Sequence, residues 1–395
     1  MNERRHMKIS AYCMLSCLYF LLLPTTIAVN SAGNSFLKLA AVPIAAYFVI
    51  ALVFSKQVLQ FNWAHLLLAL YTVSTLITLF VDPAYIKTVL GYFLNAALYL
   101  CLTVIPYNKR ELRWLENAQV LLLCMVVAVT LFSGGSAFDR TTLVIFGQAV
   151  DPNYFVGFLI FPLSVTLGKI MRSKYRIAYI LLAALSIYCV FLSGSRGGLL
   201  AIVATIVAFA LIYPDKVKTK LLFCFGGCAF LMFAWFVAAP LLPGNILARL
   251  SVENVIETGG TGRWYIWKSM LAEIVNSPDK LWFGRGFYGM HQVFLGGRWS
   301  LAVAHNQLLQ VLYDQGVVGV MAFMALAVGC LLRCIKRRKT VAVAIIGMLA
   351  LSISLSFNPT TRTFWNLIAY AALNFPEESN CIPTENNRLP EEDQS

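Results

Sequence analysis

The sequence predicts an all-α membrane protein, a bundle of about 11–12 transmembrane helices with one large extracytoplasmic loop. Three observations predict this class. The chain is 59% hydrophobic and 12% charged, with a mean hydropathy of +0.73, whereas soluble domains keep roughly a quarter of their residues charged. Apolar runs long enough to cross a bilayer recur along it. The loops between them alternate between poor and rich in lysine and arginine.

The apolar runs define the spans. A bilayer core about 30 Å thick needs about 20 apolar residues per helix, and fewer where a helix is broken or shielded. The predicted spans cover residues 9–29, 36–54, 63–81, 88–105, 118–132, 154–167, 177–192, 199–213, 221–242, 308–332, 341–357 and 364–373.

The basic residues predict the orientation. Most of the 31 lysines and arginines lie in the N-terminal segment and in alternate short loops, at 4–8, 109–113, 169–176, 216–220 and 333–339. Positive loops face the cytoplasm, so the N-terminus is predicted to be cytoplasmic. The net charge of +13 then reflects topology and anionic lipid, and nucleic-acid binding is excluded as the main function.

The chain is predicted to hold one membrane domain, residues 1–375, which includes an extracytoplasmic loop at 243–304. An acidic tail at 376–395 is predicted to be disordered and cytoplasmic, because it is polar and has few apolar residues.

The outer loop itself predicts a helix. From Gly262 to Asn276, an apolar stripe of Trp264, Trp267, Leu271 and Ile274 has helical spacing. Such a helix either lies in the lipid headgroup layer or packs on the tops of the transmembrane helices. Glycines at 259, 260 and 262 leave backbone amides at its start that favour an anion.

Three arginines on the outer side are candidate anion ligands. Arg196 lies in the turn Ser193–Gly198, Arg263 begins the loop helix, and Arg285 lies between two glycines. Guanidinium groups bind phosphate oxygens in pairs and stay charged. An arginine at membrane depth is a functional candidate; the alternative for Arg196 is that it snorkels or ties down a loop carbonyl.

A histidine at the start of the tenth span is a candidate base. His305 and Asn306 precede this span, and Asp314 follows within it. Histidine accepts a proton near neutral pH, so His305 is suited to act as general base for a sugar hydroxyl. His291 in the same loop is a rival base. Asp314 either orients a partner or forms hydrogen bonds within the bundle.

These segments, in this order and on this side of the membrane, resemble the O-antigen ligase and Wzy-type polysaccharide polymerase superfamily. The resemblance covers roughly residues 150–335 and includes Asp151-Pro152-Asn153, Ser193–Gly198, Gly262-Arg263 with Trp267, Gly284–Gly286, and His305-Asn306 through Gly316. It implies an all-α membrane glycosyltransferase in the bacterial plasma (inner) membrane.

The resemblance also implies a mechanism. The donor is a glycan on undecaprenyl diphosphate, Arg196 and Arg263 hold the diphosphate, and His305 activates the acceptor hydroxyl. Arg285 is added from its position alone. No metal or other cofactor is expected, because the lipid diphosphate is its own leaving group. The first outer loop, residues 30–35, also has no carboxylate to hold an ion.

Several functions stay open. A polymerase that joins lipid-linked repeat units of the O-antigen or capsular type is favoured over a ligase that transfers the glycan to a lipid core. A flippase or exporter of lipid-linked oligosaccharide is a further alternative. The expected partners are the lipid-linked donor, an acceptor glycan or glycolipid, membrane lipid, and other polysaccharide assembly proteins such as a flippase or a chain-length regulator.

Overall fold

The computed structural model describes residues 9–26, 36–54, 59–133, 135–137, 139–251, 253–254, 262–287, 291–295, 298–356 and 362–374. The α-helices in these residues are α1 Ala11–Leu21, α2 Lys38–Phe54, α3 Trp63–Val81, α4 Ile86–Thr103, α5 Lys109–Phe132, α6 Pro152–Arg172, α7 Arg176–Leu192, α8 Arg196–Ile212, α9 Val217–Ala238, α10 Gly244–Leu250, α11 Arg263–Val275, α12 Gln307–Arg337, α13 Lys339–Ser352 and α14 Arg362–Ala372.

Each of the twelve predicted spans coincides with one of these helices, so the all-α polytopic membrane class is confirmed. Six helices are long and apolar enough to cross a membrane, and five further apolar helices are shorter. The predicted loop helix is α11. The domain boundaries stay a prediction, and the tail at 376–395 lies outside the described residues.

Capping residues explain where two helices begin earlier than predicted. The Asn108 side chain accepts hydrogen bonds from the amides of Arg110 at 2.9 Å and Glu111 at 3.0 Å, and Glu111 Oε2 accepts one from the Asn108 amide at 2.9 Å. This capping box adds a charged first turn to α5. In α6, Asp151 Oδ1 accepts a hydrogen bond from the Asn153 amide at 2.8 Å, and Pro152 takes the first helical position.

Helix α6 lies in the centre of the bundle, and most of its side chains are buried. It packs against α5, α7, α8 and α13, and α8 also packs along α13. Helix α14 is short but buried along its length. The arrangement places the first turns of α6, α8 and α12 at the same end of the bundle, where the candidate site lies.

Short hairpins cover this end and were not predicted. Two-residue strands β1 Ser136–Ala137 and β2 Arg140–Thr141 pair antiparallel, as do β3 Val144–Ile145 and β4 Gln148–Ala149. Together they connect α5 to α6. In the large loop, β5 His291–Leu295 and β6 Arg298–Ala302 form a third hairpin.

Helix α12 is broken near its N-terminal end, where the sequence predicted one continuous span. Gly316 has φ 68° and ψ −165°, outside the helical region. The loop residues 281–286 replace the lost backbone hydrogen bonds: the Val317 amide donates to Leu281 O at 2.9 Å, and the Gly286 amide donates to Asp314 O at 3.0 Å. Backbone groups at membrane depth must be satisfied inside the protein, so this loop is an integral part of the tenth span.

Candidate functional site

Four arginines and one histidine, together called the cationic cluster below, lie where the first turns of α6, α8 and α12 meet. Its members come from five elements far apart in the sequence, namely Arg140 in β2, Arg196 at the start of α8, Arg249 in the last turn of α10, Arg263 at the start of α11, and His305 just before α12. The sequence analysis named three of these as site residues.

The pKa of Arg263 shows that the members interact. Burial has the largest effect and lowers this pKa. The Asp151 carboxylate raises the pKa, and the neighbouring guanidinium groups of Arg249 and Arg196 lower it. Like charges gathered in a partly buried site repel one another strongly. The cluster therefore provides an electrostatic environment that favours an anion.

Arg196 is fixed by the loop it faces. Its Nε donates a hydrogen bond to Arg249 O at 2.8 Å, and its Nη2 donates to Arg249 O and to Asn254 Oδ1, each at 2.5 Å. Ser195 caps α8 through its hydroxyl, which accepts from the Gly198 amide at 3.0 Å and donates to Asn153 Oδ1 at 2.8 Å. Arg196 therefore ties down a loop carbonyl, which was the structural alternative, while lying in the cationic cluster.

His305 is held in an unusual backbone conformation. It has φ +48°, a left-handed value that costs free energy in a residue other than glycine. Both backbone polar groups of the preceding residue, Ala304, form hydrogen bonds. Trp267 Nε1 donates to Ala304 O at 2.7 Å, and the Ala304 amide donates to Gln310 Oε1 at 2.8 Å. Such strain persists only where the surroundings impose it, so the fold imposes this position on the imidazole.

Asn306 and Asp314 form hydrogen bonds that fix the backbone on either side of His305. Asn306 caps α12 by accepting from the Leu309 amide at 3.1 Å, and its own amide donates to Ser356 Oγ at 3.1 Å. The buried Asp314 carboxylate accepts both hydrogen bonds from Gln310 Nε2, at 2.9 and 3.0 Å. Since Gln310 Oε1 holds the peptide before His305, Asp314 orients that peptide through Gln310.

The imidazole of His305 is suited to accept a proton. Its Nδ1 is buried and has no hydrogen-bond partner within the described part of the chain. Burial lowers the pKa of His305, the Arg263 charge lowers it further, and Asp151 opposes them. A lowered pKa keeps the ring neutral at pH 7, which is the form that acts as a base.

Arg285 is held by other residues. Its Nη2 donates to Glu273 O at 3.2 Å and to Ser277 Oγ at 2.9 Å, and its guanidinium lies over the Tyr313 ring, 5.4 Å from the ring centroid. Glu273 Oε2 lies 3.9 Å from its Nε. No described contact brings Arg285 to the cationic cluster, so its role as a diphosphate ligand stays a prediction.

Helix α11 buries only part of the predicted apolar stripe, since Ile274 is buried and Trp267 donates to Ala304 O while the other two members face outward. Met270 and Ile274 are buried against Tyr313, while Trp264 and Leu271 are 63% and 47% exposed. The helix thus packs on α12, as one alternative stated, and leaves a second apolar side outward, as the headgroup alternative requires. Residues 255–261 and the side chain of His291 lie outside the described part of the structure.

Two members of the cluster were missed because nothing near them in sequence marks them. Arg140 is only 6% exposed, and Arg249 donates from Nε to Gly194 O at 3.2 Å. Asp151 was noticed, but its charge was not connected to the arginines. The described residues contain no group of three or more histidines, cysteines or acids that could hold a metal ion.

Comparison with known proteins finds a family match that spans part of this site. Residues 181–324 match the model of the O-antigen ligase family, a segment that contains Arg196, Arg249, Arg263 and His305. No curated protein matches the chain significantly. The match confirms the predicted resemblance: residues 181–324 are similar to the O-antigen ligase family.

Proposed function

We propose that this protein transfers a glycan from undecaprenyl diphosphate to a sugar hydroxyl at the outer face of the bacterial plasma membrane, and that it polymerises O-antigen or capsular-type repeat units. The match to the O-antigen ligase family supports membrane glycosyl transfer of the ligase and polymerase type. The observation that carries the proposal is the convergence of Arg196, Arg263 and His305, which lie far apart in the sequence, at one end of the bundle.

The proposed reaction is a displacement at the anomeric carbon. The acceptor hydroxyl oxygen forms the new bond to this carbon while the bond to the diphosphate oxygen breaks. The diphosphate leaves with the electron pair, and the hydroxyl proton passes to the His305 imidazole. Arg196 and Arg263 stabilise the charge that develops on the leaving group. We keep Arg285 as a further candidate ligand, although its described contacts favour a supporting role for it.

Ligase activity is the second candidate function, since the matching family is described as O-antigen ligase. The two activities differ in the acceptor: another lipid-linked repeat unit for a polymerase, a lipid core for a ligase. A deletion strain separates them by mass analysis of its glycans. Acceptor lipid that carries a single repeat unit supports a polymerase, and acceptor lipid that carries no repeat unit supports a ligase. Donor that accumulates on the inner leaflet contradicts both and supports a flippase.

Loss of the cluster arginines tests the mechanism. In proteoliposomes with a lipid-linked repeat unit, Arg263→Ala and Arg196→Ala are each expected to lower transfer by about 10²–10³-fold, the effect of removing one transition-state donor. Addition of EDTA is expected to leave the rate unchanged. Arg172→Ala, at the opposite end of the bundle, is the control. Full activity in both cluster variants contradicts the mechanism.

The pH dependence tests the role of His305. Its lowered pKa means that the neutral base is present above the folded pKa and is lost as the pH falls through it. The acid limb of kcat/KM is therefore expected below pH ~6.5, the ordinary histidine value. Asp151→Asn removes the carboxylate that raises this pKa and keeps a good helix cap. We expect the limb to move to lower pH; an upward shift contradicts the assignment.

A further inference from the structure

Arg140 has buried guanidinium donors that find no acceptor among the described residues, unlike the Nε donors of Arg196 and Arg249. Arg196 and Arg249 donate hydrogen bonds to protein oxygens. Arg140 is 6% exposed, and its Nε and Nη1 are buried without a hydrogen-bond partner among the residues that the structure describes. A buried charged donor without an acceptor costs several kcal/mol, so its retention requires a compensating partner.

Among the described residues, no protein charge supplies this partner. Burial lowers the pKa of Arg140, Arg249 and Arg263 act in the same direction, and Asp151 alone opposes them. The described hydrogen bonds of the Asp151 side chain go instead to the amide and the side chain of Asn153, at 2.8 and 2.9 Å. Arg140 therefore lies in a net positive environment, with its hydrogen bonds unused.

The position of Arg140 is fixed by the turn before α8. Gly194 has φ +55°, and a methyl group built on it would lie 3.5 Å from Arg140 Cδ and 3.4 Å from Arg249 Cδ. The carbonyl of Gly194 also accepts from Arg249. The aliphatic stems of both arginines thus pack on the turn that leads into Arg196, which holds the Arg140 guanidinium at the cationic cluster.

We infer that Arg140 is a direct ligand of a diphosphate in this site, and that its unused Nε and Nη1 donors bind the phosphate oxygens. The identity of the anion as a lipid diphosphate rests on the proposed function. Arg140 lies outside the segment that matches the family model. Arginine stays charged and presents several hydrogen-bond donors in one plane. Nε and Nη1 lie on different edges of the Arg140 guanidinium, so each is suited to bind a different phosphate oxygen, while Arg196 and Arg263 remain for the other oxygens of the diphosphate.

Pyrophosphate binding to the full-length protein in non-ionic detergent tests this inference. Inorganic pyrophosphate is expected to raise the Tm of the wild type, since a ligand of the folded state stabilises it. We expect Arg140→Gln to weaken pyrophosphate binding by about 10- to 100-fold and to leave the Tm without ligand equal or higher. A structural arginine would instead lower that Tm. Arg140→Lys keeps the charge without the fork and is expected to bind with intermediate affinity.

Arg172→Gln is the matched control, because it removes the same charge at the opposite end of the bundle. If Arg140→Gln does not fold, wild-type affinity in Arg140→Lys overturns the inference. Unchanged affinity in Arg140→Gln, or a wild type that does not bind pyrophosphate, also overturns it. In nanodiscs of phosphatidylcholine, undecaprenyl diphosphate is expected to bind in an Arg140-dependent way. Equal Arg140-dependent binding of phosphatidylglycerol would overturn the assignment to a diphosphate.

The transfer assay separates this inference from the proposed function. If Arg263→Ala and His305→Ala lose glycan transfer while Arg140→Gln keeps it in full, the role of Arg140 is wrong and the function stands. If pyrophosphate binds in an Arg140-dependent way but the wild type transfers no glycan, the anion site stands and the function is wrong.

Discussion

Replacing His305 with alanine is expected to lower glycan transfer by about 10²–10⁴-fold, the usual contribution of a positioned general base. The imidazole lies in the cluster, and its lowered pKa keeps it neutral at pH 7. Initial rates in proteoliposomes with saturating lipid-linked donor measure the effect. The lost group acts in the chemical step, so we expect kcat to fall far more than KM rises, with normal abundance in the membrane.

His291→Ala is the matched comparison, because His291 is the rival base in the same outer loop. We expect it to retain transfer within a few-fold of wild type. Loss of transfer in His291→Ala, together with near-normal transfer in His305→Ala, would assign the general base to His291. Equal activity of both variants with the wild type would remove histidine general-base catalysis from the mechanism.

The sequence predicts the spans well because apolar runs are local features. All twelve predicted spans contain a helix, and errors arise where a side chain acts at a boundary, as Asn108 and Asp151 do. The break in α12 was not predicted, although Gly316 was visible. Its cause is a pairing with residues 281–286, roughly thirty positions earlier, and no local pattern specifies that pairing.

The residues of the candidate site likewise include some that local sequence predicts and one that only the structure identifies. Arg196, Arg263 and His305 stand at the ends of predicted helices beside glycine or asparagine, so the order of the spans already predicts that they lie on the same side of the membrane. Arg140 lies in a short hairpin without such a marker, and only its burial and its unused donors identify it. The glycines at 197 and 198 have Ser354 and Val156 as close neighbours, so they serve helix packing.

Gly316→Ala is expected to destabilise the protein strongly, because two separate costs apply. The backbone at φ 68° and ψ −165° lies in a region that residues other than glycine avoid, at a cost of about 1–3 kcal/mol. A methyl group there would also lie 2.4 Å from the carbonyl carbon and oxygen of Trp282. That contact requires the loop 281–286 to move and gives up the hydrogen bonds that satisfy the broken helix. Thermal unfolding in detergent, together with abundance in the membrane, measures the loss.

Gly91→Ala supplies the matched control, because Gly91 lies within α4 and a methyl group built on it meets no atom within 4 Å. Alanine in a helix is favoured over glycine by about 1 kcal/mol, so this variant is expected to unfold at the wild-type temperature or slightly above it. The contrast separates a general response to added methyl groups from the specific requirement at the break. A Gly316→Ala protein as stable as Gly91→Ala would show that α12 runs unbroken past this point, and that the loop is not needed to complete the span.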